Sequence, residues 1–109
     1  MTFYVLEGGK VVETEDPYVM EKALRTGSNS VAHTRINDEY RVSTMLMGRD
    51  MNVHGIMFPD LDVPQHLFET CVLGGPNGVD ITRYSTFDEA QKGHEEICEQ
   101  IRQRIAQQQ

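Results

Sequence analysis

The chain has no tryptophan, only two cysteines, and no apolar run approaching the length of a membrane span. A spanning helix needs about 20 consecutive, mostly apolar residues, so a helical membrane anchor is not expected. Two cysteines are too few for the disulfide framework of a small secreted scaffold. Cys71 sits in a predicted strand and Cys98 in a predicted helix, and both read as buried free thiols. The four histidines, His33, His54, His66 and His94, are widely spaced. They lack the close Cys or His pairs of a structural zinc site. Residues 1–6 carry no positive charge and no extended apolar segment, so no secretory signal is expected and the cytoplasm is the expected compartment. Also missing are a Gly-x-Ser-x-Gly elbow, a phosphate-binding Gly-rich loop followed by Lys and Ser or Thr, and a dinucleotide fingerprint. No catalytic residue, metal or cofactor is therefore assigned.

What is present suits a single α+β domain, residues 1–109, with one core. Acidic residues outnumber basic ones, 17 to 10, for a formal charge of −7. Direct binding to duplex DNA is disfavoured, because affinity for phosphate comes from Lys and Arg. The plain reading of the acidity is solubility. A sharper reading is an acidic surface that competes for a basic groove on a nucleic-acid-binding partner.

The segments 2–6 and 10–14 are rich in β-branched and aromatic residues and flank Glu7-Gly8-Gly9, which predicts a hairpin. Asp16-Pro17 reads as a helix cap followed by proline at the first helical position. A short helix follows to Arg25, ended by Gly27. Ser30 to Ile36, Tyr40 to Met47, His66 to Leu73 and Val79 to Tyr84 read as a four-strand meander. In the second of these, Val42, Thr44 and Leu46 alternate with Ser43, Met45 and Met47, which predicts a central strand covered on both faces. Thr86-Phe87-Asp88-Glu89 fits a capping box. It opens a long helix to about Ala106 with the stripe Phe87, Ala90, His94, Ile97, Ile101 and Ile105, ahead of a frayed Gln tail. The expectation is a mostly antiparallel sheet of five to six strands, built from hairpin, short helix and meander, and packed by the C-terminal helix.

Candidate ligand-binding residues are Arg49, Asp50, Asn52, His54, His66, Glu69, Arg83 and His94. Most lie in or beside the loop 48–65, which is long for a small domain and broken by Gly55, Pro59 and Pro64. Asp and His together suit a divalent metal or acid–base work, but Asp60-Leu61-Asp62 lacks the other ligands and the glycine of an EF-hand. Met57 and Phe58 are expected to anchor this loop to the body or to a second subunit. Glu69 is expected to pair with Arg83 across two strands. His94 on the apolar stripe is expected to bond a carbonyl or a strand hydroxyl. Gly93 beside it implies a close approach by a packing strand.

Three blocks carry a resemblance: Val42-Ser43-Thr44-Met45-Leu46-Met47-Gly48-Arg49-Asp50, Leu67-Phe68-Glu69-Thr70-Cys71-Val72-Leu73-Gly74-Gly75, and Arg83-Tyr84-Ser85-Thr86-Phe87-Asp88-Glu89-Ala90-Gln91-Lys92-Gly93-His94-Glu95. In this order they resemble an uncharacterised family of small proteins from tailed phages, prophages and assorted bacteria. There the first block continues Asp-His, whereas here Asp50 is followed by Met51. The resemblance implies a phage-related accessory protein of the host cytoplasm and supplies no catalytic residues. The first expectation is a binding protein for a host protein or small ligand, with blunting of a defence system as one role. The alternatives are a metal-assisted hydrolase or nucleotide-modifying enzyme using Asp50, His54, His66 and His94, and a structural component acting as a homo-oligomer.

Overall fold

A computed structural model describes residues 2–51, 57, 65–75 and 80–108. Gly8 and Gly9 both take positive φ, 57° and 79°. A two-residue turn of this kind matches the right-handed twist of the strands it joins. It pairs β1 (Phe3–Glu7) with β2 (Lys10–Thr14) in unbroken antiparallel register from Glu7↔Lys10 to Phe3↔Thr14.

The short helix α1 (Pro17–Thr26) begins where the sequence predicts. The Asp16 carboxylate accepts from the Tyr18 N–H at 3.0 Å, Pro17 occupies the first turn, and Gly27 closes the helix in the left-handed region. Alone, ten residues are a marginal helix. This one buries Ala23 and packs chiefly on β1.

The chain then forms β3 (Ser30–Arg35), β4 (Arg41–Leu46), β5 (Phe68–Leu73) and β6 (Asp80–Tyr84), paired antiparallel in chain order. The β3–β4 turn is set by Asn37, whose side-chain oxygen accepts from the N–H groups of Glu39 and Tyr40 at 2.8 and 2.9 Å. This is the local bonding that makes Asn a turn residue. The Gly74-Gly75 pair does more than turn the chain. A side chain at Gly74 would strike the Glu39 carbonyl, and one at Gly75 would strike the Tyr40 ring.

The six antiparallel strands are divided between a two-stranded and a four-stranded sheet. Asn29, fully buried, joins them. Its side-chain oxygen accepts from the Leu6 N–H at 3.0 Å. Its amide nitrogen donates to the carbonyls of Tyr4 at 3.3 Å and Leu46 at 3.2 Å. The Tyr4 N–H also donates to the Gly48 carbonyl at 2.8 Å. One side chain therefore stands where a continuous ladder would otherwise run between β1 and the end of β4.

The long helix α2 (Phe87–Gln107) lies across the four-stranded sheet. The first half of the expected cap forms, the Thr86 hydroxyl accepting from the Glu89 N–H at 3.1 Å, while the Glu89 carboxylate reaches back to the Thr86 hydroxyl, from which it accepts at 3.0 Å. Helical structure continues through Gln107, beyond the expected frayed start of the Gln tail.

Cross-strand register sorts the core into rows. Leu46↔Phe68 anchors one apolar cluster with Tyr4, Leu67 and Ala90. Phe87 meets Phe68 there edge to face, with ring centres 6.2 Å apart. Val42↔Val72 belongs to a second cluster with Tyr40, Cys98 and Ile101. Between them lies the row Thr44↔Thr70. The core is thus two apolar halves separated by a polar layer.

The second face of β4 departs from expectation. The strand is central in the sheet, but only Val42, Thr44 and Leu46 are buried, while Ser43 and Met45 are half-buried. Helix α2 covers one face of the meander, and the residues alternating to the other face remain half-buried or exposed.

Candidate functional site

The polar layer is the most specific chemistry in the core. His94 reaches it from α2, four residues after Ala90 on the same buried stripe. Its Nδ1 lies 2.7 Å from the Thr44 hydroxyl and its Nε2 lies 2.9 Å from the Thr34 hydroxyl. Thr44 in turn bonds Thr70 across the β4–β5 pair. A neutral imidazole has one donor and one acceptor nitrogen, and a hydroxyl serves in either role, so both ring nitrogens are satisfied in either tautomer.

Tyr84 ends this chain of groups. Its hydroxyl is buried beside Thr70, close enough to feel that hydroxyl but outside hydrogen-bonding geometry. The ring rests on Gly93, where any Cβ would overlap it. The close approach implied by a glycine inside a helix is therefore an aromatic side chain from β6.

Burial pulls the His94 imidazole below the ordinary histidine range. Neighbouring His33 adds to this, and Glu95 opposes it. The imidazole is thus kept neutral in the fold. A depressed histidine stabilises the native state fully above the unfolded-state value, about 6.5. That contribution fades as acidity increases through the folded value. Urea titrations should show stability falling as pH drops below about 6.5. His94→Gln should be less stable at neutral pH and should lose that part of the slope. An unchanged slope in His94→Gln would place the titration elsewhere.

On the other face, Glu69 and Arg83 pair as expected. They are opposite in register, with Arg83 Nε 3.3 Å from the Glu69 carboxylate. Half-exposed pairs of this kind contribute about 0–1 kcal/mol. Cys71, beside Glu69 in β5, has its thiol pushed up by burial first and by the Glu69 charge second. It is therefore a poor nucleophile at neutral pH.

The base of the long loop is zipped by backbone and side chain. The Asp50 carboxylate accepts from the His66 N–H at 2.8 Å, and the Met51 N–H donates to the His66 carbonyl at 2.8 Å. Arg49 is exposed beside this junction. His66 and Arg83, with Ile81 and Thr82, line a shallow depression of about 570 Å³.

The candidate residues therefore do not form one site. Asp50 and His66 meet at the loop base, His66 and Arg83 share a depression, and Glu69 pairs with Arg83. His94 lies on the helix-covered face and joins none of them. Asn52 and His54 lie outside the described residues, as do Phe58, Asp60 and Asp62. Met57 is 66% exposed, so it does not anchor the loop to the body. Among the described residues no three His, Cys, Asp or Glu side chains gather as a metal site would require. Nor is any described helix long and apolar enough to cross a membrane.

The strand hydroxyl expected for His94 is present twice, on Thr34 and Thr44, but sequence reasoning named neither of them, nor Thr70, which bonds Thr44. A signal was present: Thr44 and Thr70 each fall on the inward alternation of their strands, where a hydroxyl needs a partner. Comparison with protein-family models, with curated proteins and with solved structures gave no match.

The uncovered face of the meander remains. Arg35↔Arg41↔Leu73 form one row across it, His33↔Ser43↔Cys71↔Ile81 the next, and Met45↔Glu69↔Arg83 the third. Leu73 is 41% and Ile81 49% exposed. Arg35 is ion-paired with Asp38 at 2.6 Å and Arg83 with Glu69 at 3.3 Å, which leaves Arg41 as the arginine of this face without an acidic partner among the described residues.

Proposed function

We propose that this is a small phage-related accessory protein that acts as a non-catalytic binding protein, docking the uncovered face of its meander on an acidic surface of a host protein. The observation that carries this reading is Arg41, which has no acidic partner among the described residues, while Arg35 is paired with Asp38 and Arg83 with Glu69. Arg35 and Arg41 stand directly opposite one another, although like charges at that spacing repel. Leu73 and Ile81 supply the exposed apolar centre that a protein interface uses. Among the described residues the face holds no Phe, Tyr or Trp, so His33 is the one ring it offers for the base stacking that a single-strand nucleic-acid binder uses. The three-block resemblance supports the phage association, and the host cytoplasm is the compartment that goes with it.

Photo-crosslinking tests the reading. A photoreactive residue replacing Ile81 should yield one discrete adduct in bacterial lysate, and Arg41→Glu should reduce it at least about tenfold, the effect of losing roughly 1.4 kcal/mol at a charged contact. The same probe replacing Gln103, on the outer side of α2, should yield none. Equal adducts from both positions, or an Ile81 adduct indifferent to Arg41→Glu, would refute the assignment of this face.

A further inference from the structure

We infer that the protein pairs with a second copy of itself along the outer edge of β2, which has no partner strand among the described residues, forming a four-stranded sheet in the order β1-β2-β2-β1. This goes beyond the proposed function and does not rest on it.

The direction of each backbone group on β2 follows from its pairing. Glu7↔Lys10 closes a two-residue turn, so that pair exchanges both of its hydrogen bonds. Narrow and wide pairs then alternate. Val5↔Val12 and Phe3↔Thr14 are bonded to each other, while Leu6↔Val11 and Tyr4↔Glu13 point their N–H and C=O groups away. The far edge of β1 verifies the phase: the Tyr4 N–H donates to Gly48 and the Leu6 N–H to Asn29, both outside the hairpin. On β2 the outward groups are accordingly those of Val11 and Glu13.

Two outward residues flanking Val12 are self-complementary under a two-fold axis normal to the sheet. With the axis through Val12, Val11 of one copy faces Glu13 of the other, twice, and four ladder hydrogen bonds form. Val12 then meets Val12 in the closer, non-bonded spacing, about 4.5 Å between Cα atoms. Moving the axis to Val11 would set Glu13 against Gly9, whose turn conformation cannot continue a ladder.

The edge is only partly protected. Proteins blunt a free strand edge with short length, charged side chains, proline, a bulge or a cover, and β2 has the first two, being five residues long with Lys10 and Glu13. Strand β3 has such a bulge, between Ser30 and Ala32. Strand β2 has unbroken register, no proline, and two exposed valines, Val11 at 37% and Val12 at 36%.

Sedimentation equilibrium of the full chain should give twice the 12.4 kDa chain mass at micromolar concentration. Val11→Pro removes only an outward N–H and leaves the hairpin ladder whole. It should weaken the dimer about 30-fold, the effect of two lost hydrogen bonds of typical net strength. In a Cys71→Ser background, Val12→Cys should cross-link through air oxidation to near completion, because its spacing suits a disulfide. Glu13→Cys should cross-link far less. A monomer at every concentration, or a dimer whose Val12→Cys form does not cross-link, would overturn the inference. Were Val11→Pro to misfold, the cysteine pair alone would decide.

Discussion

Replacing Asn29 with alanine should cost about 3 kcal/mol, measured as a shift in the urea midpoint, because two buried hydrogen bonds and one part-buried one vanish together. The Leu6 N–H and the carbonyls of Tyr4 and Leu46 would all lose their partner while remaining shielded from water. A domain of this size has only about 5–15 kcal/mol of stability, so the loss is a large share. Asn29→Asp should be worse despite its similar shape. It keeps the acceptor for Leu6 but removes both amide donors and turns a buried negative charge toward two carbonyl oxygens. The hairpin and α1 should loosen first, since Asn29 and the Tyr4–Gly48 bond tie them to the meander. Hydrogen exchange should therefore show β1 and β2 losing protection ahead of β4 and β5. A loss below about 1 kcal/mol would mean that water can replace the amide.

Gly93→Ala should destabilise the protein by up to about 2 kcal/mol, against the usual direction of glycine replacement inside a helix. Alanine gains about 1 kcal/mol of helix propensity. The new Cβ would overlap the Tyr84 ring, and overpacking of that kind costs about 1–3 kcal/mol, sometimes more. Either α2 lifts from β6 or Tyr84 leaves its site. The second route identifies the cause: with Tyr84→Ala in place, Gly93→Ala should become stabilising. Thermal melts of the four proteins in that cycle give the coupling directly. A destabilisation that survives Tyr84→Ala would point to a different obstruction.

Much of the fold is legible because its signals are local. Gly8-Gly9 can form one kind of tight turn, Asp16-Pro17 and Gly27 bracket a helix, and Thr86 with Glu89 opens another. The Glu69–Arg83 pair follows once two strands are placed in register. What escapes notice is what depends on distant partners. Asn29 sits among ordinary turn residues, and its three side-chain bonds reach residues 23, 25 and 17 positions away. Nothing nearby distinguishes it from Ser28. Cys98, expected to be buried, is not among the residues of the expected stripe, yet it stands four residues after His94 and three before Ile101 and so shares their buried face. The candidate residues scattered for a related reason. Proximity in sequence to one loop suggested a single site, but strand alternation sends Glu69 and Arg83 to one side of the sheet, while His94 meets the other.

The same alternation governs redox behaviour. Cys71 stands in the row with Ser43 and Ile81, whereas Cys98 lies in the cluster beneath α2. A full layer of backbone separates the two sulfurs, so no change of compartment can staple this fold internally. Oxidants that act on the native molecule will reach Cys71 alone, and any bridge they make through it must lead to a second molecule.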